Sequence, residues 1–70
     1  MTRDQLRIHF YEGSGYFTRN KNRALFKMVN HNTIHGFIEY RKVRPDNSLG
    51  RIRIIDITSF CKSFKPVNWL

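Results

Sequence analysis

The 70-residue chain predicts a small α+β domain, and two changes of hydrophobic period carry that expectation. RIRII, residues 51–55, alternates charged and apolar residues at period two, the period of a strand. It follows PDNSLG, a turn by composition, which itself follows GFIEYRKVR, a run rich in β-formers. Two such runs around a turn read as a β-hairpin. DITSFCKSF, residues 56–64, then shifts to a helical period, with Ile57, Phe60, Cys61 and Phe64 at i, i+3, i+4 and i+7.

The first segment fits two patterns. Thr2 and Gln5 have the spacing of a capping box, and Leu6, His9 and Phe10 share a helical face. Leu6, Ile8 and Phe10 also alternate with Arg7 and His9, as in a strand, and Gly13-Ser14-Gly15 could then turn a hairpin into YFT. We take residues 3–11 as helix. TRNKNRALFKMVNHN is expected to form a second helix, capped by Thr18 or Asn20. Leu25, Met28 and Val29 share its apolar face with Ala24 nearby, and Asn30 to Asn32 suit its end. Thr33 and Ile34 then turn the chain with Ile34 buried, and Gly36 opens the hairpin. Within the hairpin, Ile52 and Ile54 are expected to face the core, and Arg51 and Arg53 to face water or a ligand.

Asp56 is a good N-cap for the last helix, because its carboxylate can accept the free N–H groups of the first turn. Lys62 and Lys65 lie late, on the favourable side of the helix dipole, and Pro66 ends it. In the tail VNWL, Val67, Trp69 and Leu70 either return to the core or meet a second copy. The expected order is helix, helix, β-hairpin (wing) and helix, a small winged helix-turn-helix in a single domain spanning residues 1–70.

Size and charge narrow the function. A chain this short buries only ~60% of its unfolded surface, so its core is marginal. Cys61 is the single cysteine and packs in the last helix; the absence of a disulfide pair fits a cytoplasmic, reducing setting. No apolar run approaches the ~20 residues of a membrane span, and the first residues have no signal-peptide pattern. Thirteen Lys and Arg face five Asp and Glu, a net charge of +8, which points to a polyanion. The cations cluster. No acid lies between Glu12 and Glu39, a span that holds Arg19, Lys21, Arg23 and Lys27. Arg41, Lys42, Arg44, Arg51 and Arg53 form a second group opposed by Asp46 alone.

With these elements in place, residues 23–64 resemble the winged-helix module of phage and transposon excisionases, which is related to the MerR-type DNA-binding domain. The matching passages are RALFKMV, NHNTI, GFIEYRKV, GRIRI and DITSF. The segment between the first two helices, Tyr11 to Thr18, is longer than the family's tight turn, and Asn32 stands where the family has a glycine. The resemblance implies a recognition helix entering the major groove of double-stranded DNA through Asn20, Lys21, Asn22, Arg23 and Lys27. It implies a wing that meets phosphates or the minor groove through Arg44, Asn47, Ser48 and Arg51, with Arg41 and Arg53 on its strands. It also implies a non-catalytic architectural protein that bends DNA, lines up with copies of itself, partners an integrase or recombinase, or represses a promoter. No cofactor is expected.

Other readings stay open. His31 and His35 in NHNTIHG have the i, i+4 spacing of a metal clasp, and HFYEGSGYFTR faintly resembles the opening of phage HNH or AP2-type proteins, which would make the first segment a hairpin. The pair straddles the expected helix end, however, and has no acid within the segment, and one cysteine cannot complete a Cys₂ zinc site. A small phage effector that docks on a host protein would use the same exposed aromatics and cations. RNA binding would need Phe37 and Tyr40 on an open sheet face, without an aromatic RNP pattern in the sequence.

Overall fold

The computed structural model describes residues 1–21 and 23–67. Asn22, expected to contact DNA, and Trp69 and Leu70 of the tail lie outside the described residues. Seven elements follow in order: α1 (Arg3–Glu12), β1 (Tyr16–Arg19), β2 (Leu25–Asn32), β3 (Phe37–Val43), β4 (Leu49–Asp56), α2 (Ile57–Ser63) and β5 (Phe64–Pro66). The strands form one antiparallel sheet in the order β4-β3-β2-β1-β5. Among the described residues, no helix is long and apolar enough to cross a membrane.

The first segment is helix, and its capping box is complete. The Thr2 hydroxyl accepts the Gln5 N–H at 3.1 Å, and the Gln5 side chain accepts the Thr2 N–H at 2.8 Å. Leu6 and His9 are its buried residues. Asp56 caps α2 as expected, accepting the Ser59 N–H at 2.9 Å. Those bonds hold its carboxyl below the usual range. Helix α2 ends at Ser63, before Pro66. Phe64 begins β5, and Pro66 sits on that edge strand, where a missing N–H is tolerated.

The largest departure from expectation lies in the middle of the chain. The segment read as a recognition helix is a hairpin, β1 and β2, with Phe17 opposite Phe26 and Tyr16 opposite Lys27. Leu25 and Met28 are three apart on an unbroken stretch of strand and so lie on opposite faces of β2, not on one helical face. Phe26 and Met28 point to the core at period two, and the extra residue at Val29 resets the register between Met28 and Asn30. Asn32 therefore ends a strand, where its side chain accepts the His35 N–H at 2.9 Å. Ile34 stands at the tip of the following turn, 89% exposed, rather than buried. The left-handed residue of that turn is Gly36, with φ of 75°.

One core lies between the sheet and the two helices. It gathers Leu6, Phe17, Phe26, Met28, Ile38, Tyr40, Ile57, Phe60, Cys61 and Phe64. Phe60 and Phe64 stack at 4.3 Å between centroids, and Phe17 meets Phe60 edge-on at 5.1 Å. Burial raises the Cys61 thiol pKa, as suits a packing residue. The hairpin over β3 and β4 is present as predicted, but its faces are reversed. Ile52 and Ile54 pair with Arg41 and Glu39 and point away from the helices. They are 55% and 66% exposed because, among the described residues, nothing covers the second face of the sheet at these positions.

Candidate nucleic-acid interface

The sheet brings the two basic stretches of the sequence to one end. Thr18, Leu25, Val43 and Leu49 form a single row across four strands. The β1–β2 and β3–β4 connections therefore leave the sheet at the same level. Helix α2 finishes there too, since the Asn20 N–H donates to the Ser63 carbonyl at 2.9 Å. Arg19, Lys21, Arg23, Lys42, Arg44 and Lys62 converge on this end, and all but the half-buried Arg19 are exposed. The acid among them is Asp46. Among the described residues, the one ion pair joins Arg7 and Asp4, on α1.

Two concavities shape the surface. Arg23, Lys42 and Arg44 surround Leu25 and Val43, with Pro45 and Asn47 at the rim. Arg19, Lys21 and Lys62 surround the second, beside Asn20 and Ser63. The guanidinium of Arg19 lies 5.0 Å from the Phe64 ring centroid and 5.6 Å from that of Phe26, a cation–π contact that holds the half-buried charge against the core aromatics. The β3–β4 turn is rigid. Ser48 donates to Asp46 from its N–H at 3.0 Å and from its hydroxyl at 2.6 Å. These bonds hold the Asp46 carboxyl below its usual range. Arg44 donates to the Leu49 carbonyl at 3.2 Å, and Asn47 takes φ of 69°, a left-handed position that asparagine tolerates.

The expected contact residues divide into three groups. Lys21, Arg23, Arg44, Asn47 and Ser48 lie at the basic end, around the two connections. Asn20 and Arg41 serve the fold directly. The Asn20 amide donates to the Lys62 carbonyl at 2.8 Å, and the Arg41 Nε donates to the Gly50 carbonyl at 2.6 Å, bracing the bulge in β4. Lys27, Arg51 and Arg53 lie along strands. Lys27 sits on the uncovered face with its ammonium 5.7 Å from the Tyr16 ring centroid, and Arg51 and Arg53 are exposed on β4. Arg19, Lys42 and Lys62, not among the expected contact residues, also lie at this end. Their signal was the charge itself, but only the sheet order places them beside Arg23 and Arg44.

The histidines part company. His31, the penultimate residue of β2, lies near Phe10 and Tyr11, with ring centroids 6.4 and 6.1 Å away. Burial and the nearby Arg3 and Arg7 push its pKa down. His35 lies in the turn, stacked at 6.4 Å on Phe37. Among the described residues, no group of three or more His, Cys, Asp or Glu side chains is placed to hold a metal ion. No family model matches the chain, and no curated protein and no solved structure matches it.

Proposed function

We propose that the protein is a non-catalytic DNA-binding protein that holds duplex DNA with the basic end of its sheet. The observation that supports this reading is the convergence of six cations from three segments around the β1–β2 and β3–β4 connections, against Asp46 alone. Lysines and arginines on two adjacent turns fit successive phosphates, and such contacts fix register on the duplex. Arg44 and Asn47, on the rigid β3–β4 turn, have the side chains that read guanine and adenine edges.

An architectural role of the excisionase type, with DNA bending, side-by-side copies and a recombinase partner or a repressed promoter, rests on the resemblance described above. The β3–β4 hairpin and α2 correspond to the wing and last helix of that module. The segment aligned with its recognition helix is strand, so groove reading passes to the turns.

A gel-shift series tests the reading. Random-sequence duplex should be retarded, single strands of the same sequence should bind more weakly, and plasmid incubated with the protein and Mg²⁺ should remain supercoiled. Nicking would put a nuclease in place of this reading, and preference for single strands would move the target to RNA or unpaired DNA.

A further inference from the structure

Strand β4 forms one edge of the sheet, and Arg51, Ile52, Arg53 and Ile54 are all exposed on it. One side of the strand bonds to β3; among the described residues, the other has no neighbouring strand. Its bulge is confined to the top, where Gly50 and Arg51 oppose Lys42. From Ile52 to Asp56 the pairing with β3 runs without interruption. A regular free edge with apolar residues on one face is a template for a further strand.

We propose that β4 is a docking edge for an extended segment of a partner protein in which acidic and apolar residues alternate, added as a sixth strand. The alternation of β4 itself specifies this occupant. In a paired strand, side chains next to Ile52 and Ile54 lie on the uncovered face, and those next to Arg51 and Arg53 lie on the helix-bearing face. Apolar residues complete the first row and carboxylates the second, while the backbone ladder supplies affinity without regard to side chain.

The same alternation disfavours the other occupants. Antiparallel pairing with a second copy about Ile52 or Arg53 sets arginine opposite arginine, an arrangement that like charges destabilise, and in any register it joins two chains of net charge +8. Nucleic acid gains nothing from aliphatic isoleucines, which offer no ring for base stacking. The arginines thus disfavour self-pairing and favour an acidic strand.

The test uses the full chain and a fluorescein-labelled peptide of eight residues, the length of β4, alternating Glu and Val. Fluorescence anisotropy should give a dissociation constant of about 1 to 100 µM. A peptide of the same composition with its glutamates and valines in two blocks should bind about tenfold or more weakly. Arg51→Glu with Arg53→Glu should cost the alternating peptide about tenfold and admit one alternating Lys and Val, with circular dichroism confirming the fold. N-methylation of alternate peptide nitrogens should abolish binding in one of the two possible sets only, the set that faces the ladder. Equal binding of the block peptide, or indifference to both N-methylated sets, would reduce the contact to diffuse charge attraction and overturn the proposal. So would sedimentation of the chain alone as a dimer that Ile52→Thr with Ile54→Thr dissolves. The assay contains no nucleic acid, so its outcome is separate from that of the DNA reading.

Discussion

At the scale of single residues, Phe60 lies at the centre of the aromatic packing. It is fully buried and meets Phe17, Tyr40 and Phe64 with centroids 5.1, 5.9 and 4.3 Å away. Phe60→Ala should cost about 3–5 kcal/mol in urea unfolding, much of the stability a small domain has. His31 gives the fold a pH dependence. Its ring protonates near pH ~6.5 in the unfolded chain but at lower pH in the fold, where burial and then Arg3 and Arg7 oppose the charge. Its contribution is intact above that value and is lost as pH falls through the folded pKa. Tm should therefore drop as pH is lowered from 7 towards 5, and His31→Gln should flatten that part of the profile. Asp56 adds a loss of the same sign at more acidic pH, because its folded pKa is also depressed.

At the scale of elements, the caps and the second hairpin were legible because their signals are local. Thr2 with Gln5, Asp56 with Ser59, and the turn around Asp46 and Ser48 each lie within a few residues. The β1–β2 hairpin was hidden by an apolar spacing that matches a helix by coincidence. Leu25 and Met28 lie on opposite faces of β2, whereas Phe26 and Met28 alternating with Lys27 held the strand signal, which the bulge at Val29 cuts short. The reversed faces of β4 had a different cause. Alternation gives the period but not the sign, and which face is covered depends on where α1 and α2 pack. Asn20 links the first hairpin to the end of α2 through its amide bond to the Lys62 carbonyl. Asn20→Ala should lower stability by about 0.5–1.5 kcal/mol in thermal or urea melts, and it should loosen the connection that carries Lys21 and Arg23.

At the scale of the whole molecule, the basic end could not be read from sequence order. Arg23 and Arg44 are far apart along the chain and line one concavity because β2 and β3 are neighbours whose ends align. The charge asymmetry was visible as two clusters, and the topology joins them with Lys62 from α2 into a single surface. On the proposed function, such a surface binds phosphates with a strength that falls with salt. The most direct test of that claim is the dissociation constant for a labelled random duplex, measured by anisotropy across a salt series for the native chain and for Arg23→Ala with Lys42→Ala and Arg44→Ala. The account predicts a log–log salt slope of about −4 to −5 for the native chain, from ~5 neutralised phosphates, and a slope smaller by about three units for the variant. A slope near zero, or a variant that binds with the native slope and affinity, would contradict it.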